Sequence, residues 1–284
     1  MSERRQLTNL AYRLLGSLTD AEDVVQETYA RWYALSAAGR DAIESPGAWL
    51  TTVASRICLT QLGSARVRRE SYVGEWIPEP LPGTTEGADP ADRVTLDESV
   101  DMAFLVVLEA MTPAERVAFV LHDVYRYPFA EVAGIVGRTT AACRQLATSA
   151  RRRIQASRAP VVTPTARQAG IVRDFKAAWE AQDIAALVGL LDPDVTATAD
   201  GGGLVNARLE PMRGGEAVAL ACVRILGVLS GATFRETTVN GRPGLLTQRD
   251  GVIETVIAFH VEGDRIKHLW AVRNPEKLRS WTAD

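Results

Sequence analysis

The chain carries an arginine-rich segment at residues 129–153 whose side chains suit contact with a polyanion. From Val132 to Arg158 there are six arginines and no acidic residue. Arginine neutralises phosphates, and arginine, glutamine and threonine can also hydrogen-bond to base edges in the major groove of DNA. The segment therefore predicts a DNA-binding surface. The alternative is a basic helix face that is simply solvated.

The same segment has the pattern of a helix-turn-helix. Gly137 stands where a first helix must end, because glycine tolerates positive φ, and Thr139 can cap a second helix. Every fourth residue of the second helix is apolar, which predicts its buried stripe: Ala142, Leu146, Ala150 and Ile154. The residues expected to face a DNA duplex are Arg138, Thr139, Thr140, Arg144, Gln145, Thr148, Arg151, Arg152 and Arg153.

Length and composition indicate two or three globular domains in 284 residues, of which 46% are hydrophobic. No apolar run approaches the ~20 residues that span a bilayer, and no apolar signal segment follows Met1. Cys58, Cys143 and Cys222 are far apart and odd in number. They suit a reducing cytoplasm, where we expect the protein, and they have no zinc-ligand spacing. Neither a metal nor a cofactor is expected.

Charge is unevenly distributed along the chain, although the net charge is only −3. Residues 71–101 hold eight acidic residues against Arg93 alone. This acidic segment could compete with DNA for the basic helix within one molecule, or it could be a solvated linker.

The first 70 residues read as helical. A capping box at Thr19 and Glu22 predicts one helix start, with Val24, Val25 and Thr28 facing inward. Ser45 followed by Pro46 predicts the start of another helix. The polar face of this second helix contains Thr52, Ser55, Arg56 and Thr60.

Two segments rich in proline or glycine divide the chain into five parts. Residues 71–95 are too rich in both for regular structure and read as a linker. Helices resume near residue 96, with a further capping signal at Thr112 and Glu115, and a second linker covers 159–165. The predicted divisions are 1–70, 71–95, 96–158, 159–165 and 166–284.

The C-terminal part changes from helices to strands. A helix is expected over 166–191, an extended segment over 192–199 and another helix over 215–229. Strands follow at 233–239, 244–248, 252–261 and 265–273. We expect an α+β domain with a curved antiparallel sheet.

Several motifs together resemble one family. The sequences AYRLLGS at 11–17 and DAEDVVQE at 20–27 resemble region 2 of an extracytoplasmic-function (ECF) sigma factor. The block 46–59 resembles the part of region 2 that melts and reads the −10 promoter element. The helix-turn-helix resembles region 4, which reads the −35 element.

The linker and the C-terminal part resemble one subgroup of that family, the SigJ-like factors, in which a SnoaL-like (NTF2-like) domain is fused at the C-terminus. The linker sequence WIPEP at 76–80 is similar to the subgroup's WLPEP signature, and DGGG at 200–203 and NPEKL at 274–278 match the two short signatures of the fused domain. Leu204 and Ser149 depart from the pattern, which has lysine and arginine there. Ile77 and Glu276 are mild departures.

The resemblance implies a multidomain protein: two all-α sigma domains (the region 2 helical domain and the region 4 helix-turn-helix) followed by an α+β, cone-shaped NTF2-like/SnoaL-like domain. It implies a sigma factor rather than an enzyme, with core RNA polymerase and promoter DNA as partners and a small ligand possible in the C-terminal domain. Polymerase binding falls on Asp20, Glu22, Asp23, Gln26 and Glu27. Contact with the −10 element falls on Trp49, Thr52, Ser55 and Arg56. The helix 139–153 docks at the −35 element.

We expect the C-terminal domain to dock on the sigma domains and the linker and to set their availability. The expected regulatory interface comprises Trp76, Pro78, Glu79, Pro80, Asp200, Gly201, Gly202, Gly203, Asn274, Pro275 and Lys277.

Two other readings compete with this one. The first is a helix-turn-helix regulator whose C-terminal domain binds a ligand. The second is an NTF2-like enzyme tethered to DNA, which would need a carboxylate or histidine deep in the domain, with Asp200, Glu254, His260 and His268 as candidates. The motifs at 20–27 and 49–59 favour the sigma reading, because neither alternative needs a module that binds polymerase or melts DNA.

Overall fold

The structure, a computed structural model, describes residues 2–70, 72–83, 100–157, 163–228 and 231–281. The chain divides into two compact units. Of the described residues, the first unit contains 2–70, 100 and 104–157, and the second contains 72–83, 101–103, 163–228 and 231–281. Residues 71 and 84–95 of the predicted acidic linker and residues 159–162 of the second linker lie outside the described residues.

The first unit is helical, as predicted. Its helices are α1 (Ser2–Leu15), α2 (Leu18–Ala34), α3 (Ala37–Asp41), α4 (Pro46–Glu70), α5 (Met102–Glu109, which begins in the second unit), α6 (Pro113–Phe119), α7 (Phe129–Val136) and α8 (Thr140–Ser157), with a π-helical turn at Val120–Val124.

The start of α2 differs from the predicted capping box. Ser17 is the N-cap, and its hydroxyl accepts from the backbone N–H of Asp20 at 3.2 Å. The prediction of Thr19 as the cap was therefore wrong by two residues, since both positions offer a hydroxyl. The predicted start of α4 at Pro46 is confirmed.

The helix-turn-helix forms α7 and α8. Gly137 ends α7 in the left-handed region with φ of 69°, and the Thr139 hydroxyl accepts from the N–H of Ala142 at 3.1 Å. The buried stripe of α8 is shifted from the prediction: Cys143 and Ala147 are fully buried where Ala142 and Leu146 were expected, while Ala150 and Ile154 are buried as predicted. A four-residue spacing drifts around a helix of 3.6 residues per turn, so the stripe could be placed on either neighbouring row.

A buried arginine, Arg116, connects helices of the first unit. Arg116 in α6 donates from Nη1 to the backbone oxygen of Leu14 at 2.8 Å and to Glu109 Oε1 at 2.6 Å. Burial lowers the pKa of Arg116, and the carboxylate beside it compensates the buried charge. Leu14 lies in the last turn of α1, whose carbonyl groups lack partners within that helix.

The second unit combines three helices with a six-stranded sheet. The helices are α9 (Thr165–Glu180), α10 (Ile184–Leu190) and α11 (Gly215–Val228). The strands are β1 (Leu191–Asp200), β2 (Met212–Arg213), β3 (Thr233–Val239), β4 (Arg242–Arg249), β5 (Val252–Glu262) and β6 (Arg265–Val272), in the order β2-β1-β6-β5-β4-β3.

Two predictions for this unit were wrong in detail. The single helix expected over 166–191 is two helices, because Gln182 takes a left-handed φ of 58° and Asp183 caps α10 through the N–H of Ala186 at 2.9 Å. The sheet is mixed rather than antiparallel, because β1 pairs in parallel with β6. The chain passes through α11 and four strands (β2 to β5) between these two, so they can run in the same direction.

Aromatic residues fill the core between the sheet and α9. Phe175 is fully buried, and its ring centroid lies 5.7 Å from that of Trp179 and 5.4 Å from that of Phe259. The Trp179 ring lies 4.7 Å from Phe234, and its Nε1 donates to the backbone oxygen of Cys222 at 2.6 Å. The predicted order of structural classes is thus confirmed: an all-α part precedes an α+β part. Within the described part of the chain, no helix has the length and apolar character to cross a membrane.

The buried cysteines give a prediction about thiol reactivity. Cys58, Cys143 and Cys222 are free and buried. Burial raises the pKa of all three thiols, that of Cys222 to about 12, so at pH 8 each stays protonated and inaccessible. In the native protein we expect each to react with iodoacetamide only through local opening, which at ~3 kcal/mol slows alkylation about a hundredfold. Mass spectrometry of timed reactions measures this, with the guanidinium-unfolded chain as the control. Alkylation of any native thiol at the unfolded rate would contradict the prediction.

Candidate functional site

The outer face of α8 presents most of the residues predicted to meet a duplex. Thr140 and Arg151 are half-buried, and the others are exposed: Arg138, Thr139, Arg144, Gln145, Thr148, Arg152 and Arg153. The Arg144 guanidinium lies 5.7 Å from the Phe129 ring centroid, and the Thr148 hydroxyl donates to the backbone oxygen of Arg144 at 2.8 Å. A basic, polar helix surface therefore follows a tight turn, as duplex binding requires.

Two side chains of α8 are engaged within the first unit instead. Arg151 donates from Nε and Nη2 to the two carboxylate oxygens of Asp123 at 2.6 and 3.1 Å. The Ser149 hydroxyl donates to Glu115 Oε1 at 2.7 Å. Burial alone would raise the pKa of Glu115, but hydrogen bonds from Thr112 and Ser149 lower it. Ser149 therefore fixes α8 against the capping box of α6.

The predicted −10 face of α4 is only partly at the surface. Trp49 is half-buried, with its ring 5.2 Å from that of Trp32, and Thr52 is also half-buried. Ser55 is fully buried, so the structure does not bring it to the surface. Arg56 is exposed and donates from Nη2 to the backbone oxygen of Gly134 in α7 at 3.0 Å.

The Arg56 contact joins α4 to the helix-turn-helix within the first unit. Gly134 lies in the last turn of α7, where carbonyl groups have no partner in their own helix. Arg13 makes a similar contact, donating from Nη1 to the Tyr125 hydroxyl at 3.1 Å. Arg56, which is predicted to contact the −10 promoter element, thus contacts the helix-turn-helix, which is predicted to bind the −35 promoter element.

The acidic face of α2 remains open to solvent. Glu22, Asp23, Gln26 and Glu27 are exposed and Asp20 is half-buried. Glu27 pairs with Arg31 one turn further along the helix. The face therefore presents negative charge outward, as a basic protein partner requires.

The second unit holds the predicted linker at a buried carboxylate, and we call residues 72–83 with their partners the linker clamp. The Asp200 side chain has no exposed surface. Its carboxylate accepts from the Tyr72 hydroxyl at 2.6 Å, from the N–H of Ile77 at 3.0 Å, from the N–H of Gly202 at 3.0 Å and from Lys277 Nζ at 2.6 Å.

Lys277 completes the charge balance of the clamp. Its Nζ also donates to the backbone oxygen of Ile77 at 2.5 Å and lies 4.1 Å from the centroid of the Trp76 ring. Asn274 donates from Nδ2 to the Tyr72 hydroxyl at 2.9 Å. Burial, followed by the bond to Asp200, raises the pKa of Tyr72, so this phenol stays protonated as a donor.

Glycine is required where the loop after Asp200 approaches its neighbours. A Cβ on Gly201 would lie 2.4 Å from the backbone oxygen of Val205, and one on Gly202 would lie 2.3 Å from Asn274 Nδ2. Gly202 and Gly203 also have positive φ, of 64° and 72°. The Gly run therefore allows Asn274 to reach the clamp. Leu204, which departs from the family pattern, is exposed.

A second set of contacts anchors the linker at the β3–β4 turn. The N–H of Leu81 donates to Asn240 Oδ1 at 3.0 Å, and the N–H of Gly83 donates to the backbone oxygen of Thr238 at 2.8 Å. Beyond the undescribed residues, Arg242 Nε donates to Asp101 Oδ2 at 2.9 Å. The described chain is thus held on both sides of residues 84–99.

The structure brings together most of the predicted regulatory interface. Ile77, Pro78, Glu79 and Pro80 are buried, Trp76 is half-buried, and Asp200, Asn274 and Lys277 meet the linker directly. Pro275 is exposed and contributes through the backbone turn that closes on Leu278.

Sequence reasoning missed Tyr72, Asn240, Arg242 and Trp281, whose Nε1 donates to the backbone oxygen of Pro80 at 2.8 Å. An aromatic residue inside a Pro/Gly-rich segment was a signal for Tyr72, and Asn240–Gly241 is a strong hairpin-turn signal.

A cavity in the second unit is where the alternative hypothesis of an NTF2-like enzyme would place its catalytic residues. It has a volume of about 950 Å³ and lies between α11, the sheet and the loop that follows Gly203. None of the candidates Asp200, Glu254, His260 and His268 is among the described residues that line it. In the described part of the chain, no group of three or more His, Cys, Asp or Glu side chains could hold a metal ion.

The clamp gives a prediction about stability. Lys277→Met leaves the Asp200 carboxylate buried without its cation, so the free energy of unfolding should fall by about 3–5 kcal/mol. Arg279→Met is the matched control, because Arg279 pairs with Glu276 at 3.9 Å with both side chains about two-thirds exposed. The control should change stability by no more than about 1 kcal/mol. Urea denaturation followed by tryptophan fluorescence measures both. Equal losses in the two variants would show that the buried pair does not hold the unit together.

Comparisons with known proteins agree with this arrangement. The family models Sigma-70 region 2 and Sigma-70, region 4 match residues 1–68 and 101–154. The chain is 40% identical to the ECF RNA polymerase sigma factor SigJ of Mycobacterium tuberculosis, over 97% of this chain and 90% of the relative. It is 33% identical to the probable ECF RNA polymerase sigma factor SigI of the same organism, over 98% and 92%.

A crystal structure of M. tuberculosis SigJ superposes with a TM-score of 0.78 at 36% identity, covering 98% of this chain and 96% of that one. The likeness therefore extends over both helical regions and the α+β unit. The chain belongs to the extracytoplasmic-function family of RNA polymerase sigma factors, the proteins that direct promoter-specific transcription initiation.

Proposed function

We propose that this sigma factor carries its own regulator: the C-terminal unit holds the linker between regions 2 and 4 and thereby sets how readily the two regions reach a promoter. The observation that carries the proposal is the linker clamp, which fixes residues 72–83 through Asp200 and Lys277 and fixes Asp101 through Arg242. The clamp would act in place of a separate anti-sigma protein.

The polymerase and promoter contacts of the proposal follow the exposed surfaces. The acidic face of α2 binds the polymerase, because its exposed carboxylates suit a basic surface. The −35 element is read by α8, with Thr140, Arg144 and Gln145 on base edges and Arg152 and Arg153 on phosphates. The −10 element is met by Arg56, Thr52 and Trp49, since single strands are held by positive charge and stacking.

Promoter binding requires regions 2 and 4 to separate. The two elements are named by positions about 25 base pairs apart, which at about 3.4 Å per base pair is roughly 85 Å. Arg56 lies 3.0 Å from Gly134, so the described arrangement cannot engage both elements. The contacts that must break are arginine bonds to a carbonyl and a hydroxyl, which exchange readily for water or phosphate.

The linker clamp supports control of this opening by chain connectivity. Region 2 ends at α4 and region 4 begins at α5, and the linker between them is held by the second unit at both described ends. While both ends are held, the full length of the linker is not available to span the distance between regions 2 and 4. Release of the linker clamp lets the linker extend, so that regions 2 and 4 can separate by the distance between the two promoter elements.

We infer no catalytic role for the C-terminal unit. Glu254 pairs with Arg249 at 3.1 Å, and His260 lies 3.2 Å from Glu262. His268 stacks on Trp270 with ring centroids 5.4 Å apart, and burial lowers its pKa. These side chains support the strands, as buried or paired polar groups usually do.

Run-off transcription tests the regulatory proposal. Asn240→Gly with Arg242→Gln removes the side-chain bonds to Leu81 and Asp101, yet glycine suits the left-handed φ of 51° at position 240. With purified core RNA polymerase and a fixed limiting concentration of the sigma factor, we expect promoter-specific transcript to rise about fivefold or more. The reason is that losing the two side-chain bonds destabilises the closed state by ~1–3 kcal/mol relative to the open state.

The matched control is Asp250→Gly in the neighbouring β4–β5 turn, where Asp250 has φ of 50° and makes no described contact with the linker. It should leave the transcript level unchanged. An unchanged or lower level in the double variant would overturn the regulatory role. Absence of transcript from all forms, with the polymerase active with another sigma factor, would overturn the assigned polymerase and promoter surfaces.

The recognition helix gives a separate prediction about DNA affinity. Arg144→Ala should weaken binding to a −35 duplex by about 1–3 kcal/mol and relax specificity at one base pair, whereas Arg152→Ala should weaken binding to all sequences and reduce the salt slope by about one. Fluorescence anisotropy at several salt concentrations measures both, with Arg126→Gln, outside α8, as the control. A salt slope that is unchanged in Arg152→Ala would remove its phosphate contact from the proposal.

A further inference from the structure

The cavity of the second unit has an apolar interior. Its volume of about 950 Å³ lies at the upper end of the range for small-molecule sites. Trp179, Met212 and Ile257 line it, together with alanines from β1, β6 and α11. The mouth includes Leu220 and Ile225, which are 41% and 46% exposed. Such a surface favours an apolar ligand body over water.

Charge at the cavity has one sign only. Arg208, Arg213, Arg224 and Arg273 line it, and no aspartate or glutamate does. None of the four forms an ion pair with any side chain in the described part of the protein. Three are exposed and Arg273 is half-buried, so the positive groups lie toward the opening. Positive groups without acidic neighbours attract an anion.

Two buried polar atoms at the cavity have no hydrogen-bond partner among the described residues. Thr247 is 1% exposed and its Oγ1 is unpartnered. Arg273 donates from Nη1 to the backbone oxygen of Asn206, but its buried Nε is also unpartnered. Unpaired buried polar atoms are costly, and a ligand with acceptor oxygens would satisfy them.

We propose that this cavity binds a small amphipathic carboxylate. Its apolar body lies against Trp179 and Ile257, and its carboxylate is held by the arginines. A neutral apolar ligand would leave the arginines and Thr247 unused, and a cation would be repelled. The inference concerns binding alone, and it stands or falls independently of the linker clamp and the promoter contacts.

Isothermal titration calorimetry of the full-length protein tests the proposal, with decanoate as the probe. We expect one saturable site per chain, and a dissociation constant that rises with ionic strength, since salt screens the arginines. Decyltrimethylammonium carries the same tail with the opposite charge and should bind at least about tenfold more weakly. Equal affinity for the two probes, or several weak sites for decanoate, would overturn the proposal.

Variants locate the site. Arg213→Gln with Arg224→Gln changes two exposed side chains of the cavity and should weaken decanoate binding about tenfold or more without altering the thermal unfolding profile. Arg173→Gln is the matched control, because Arg173 is an exposed arginine of the same unit outside the cavity lining. Its decanoate affinity should equal that of the unsubstituted protein. Equal weakening by the control, or none by the double variant, would place the anion elsewhere.

Discussion

The buried carboxylate of Asp200 is the constraint on which the organisation of the C-terminal unit depends. A carboxylate removed from water must be matched by donors, and here four groups supply them. They come from three separate stretches of chain: Tyr72 and Ile77 in the linker, Gly202 in the following loop, and Lys277 near the end. Because the charge requires all of them, the paths of these stretches are fixed relative to one another.

The linker suits this role because its prolines lessen the cost of burying an irregular segment. A buried backbone N–H needs a partner, and proline has none to satisfy. Pro78, Pro80 and Pro82 alternate with residues whose N–H groups are paired or whose side chains fill the interface, such as Ile77 and Leu81. A segment whose composition predicts a linker without regular structure is thus held in place by specific contacts.

The helical unit is joined by contacts of a different kind. Arg56 and Arg116 both donate to carbonyl groups in the last turn of a neighbouring helix. Arg116 is buried and paired with Glu109, whereas Arg56 is exposed. Arg116 therefore makes a stable structural contact, whereas the contact of Arg56 is one that solvent or nucleic acid can replace. Under the proposed regulation, a linker that limits separation would act on the Arg56 contact.

Sequence alone determined the features that rest on local physics. The turn at Gly137, the cap at Thr139 and the capping box at Thr112 depend on residues within four positions of one another. The amphipathic pattern predicted the helices and strands, and the ordered motifs indicated the family. The linker signature, the Gly run and the C-terminal signature were recognised as parts of one interface, although how they meet could not be read from them.

Tertiary structure alone decided which side chains are free to act. Ser55 and Arg151 look as available in the sequence as Arg56 and Arg152, but Ser55 is buried and Arg151 is paired with Asp123. The parallel pairing of β1 with β6, the charge that Lys277 supplies to Asp200 and the arginines around the cavity join residues far apart in the chain. Burial and long-range pairing depend on the whole packed chain, so a local pattern cannot specify them.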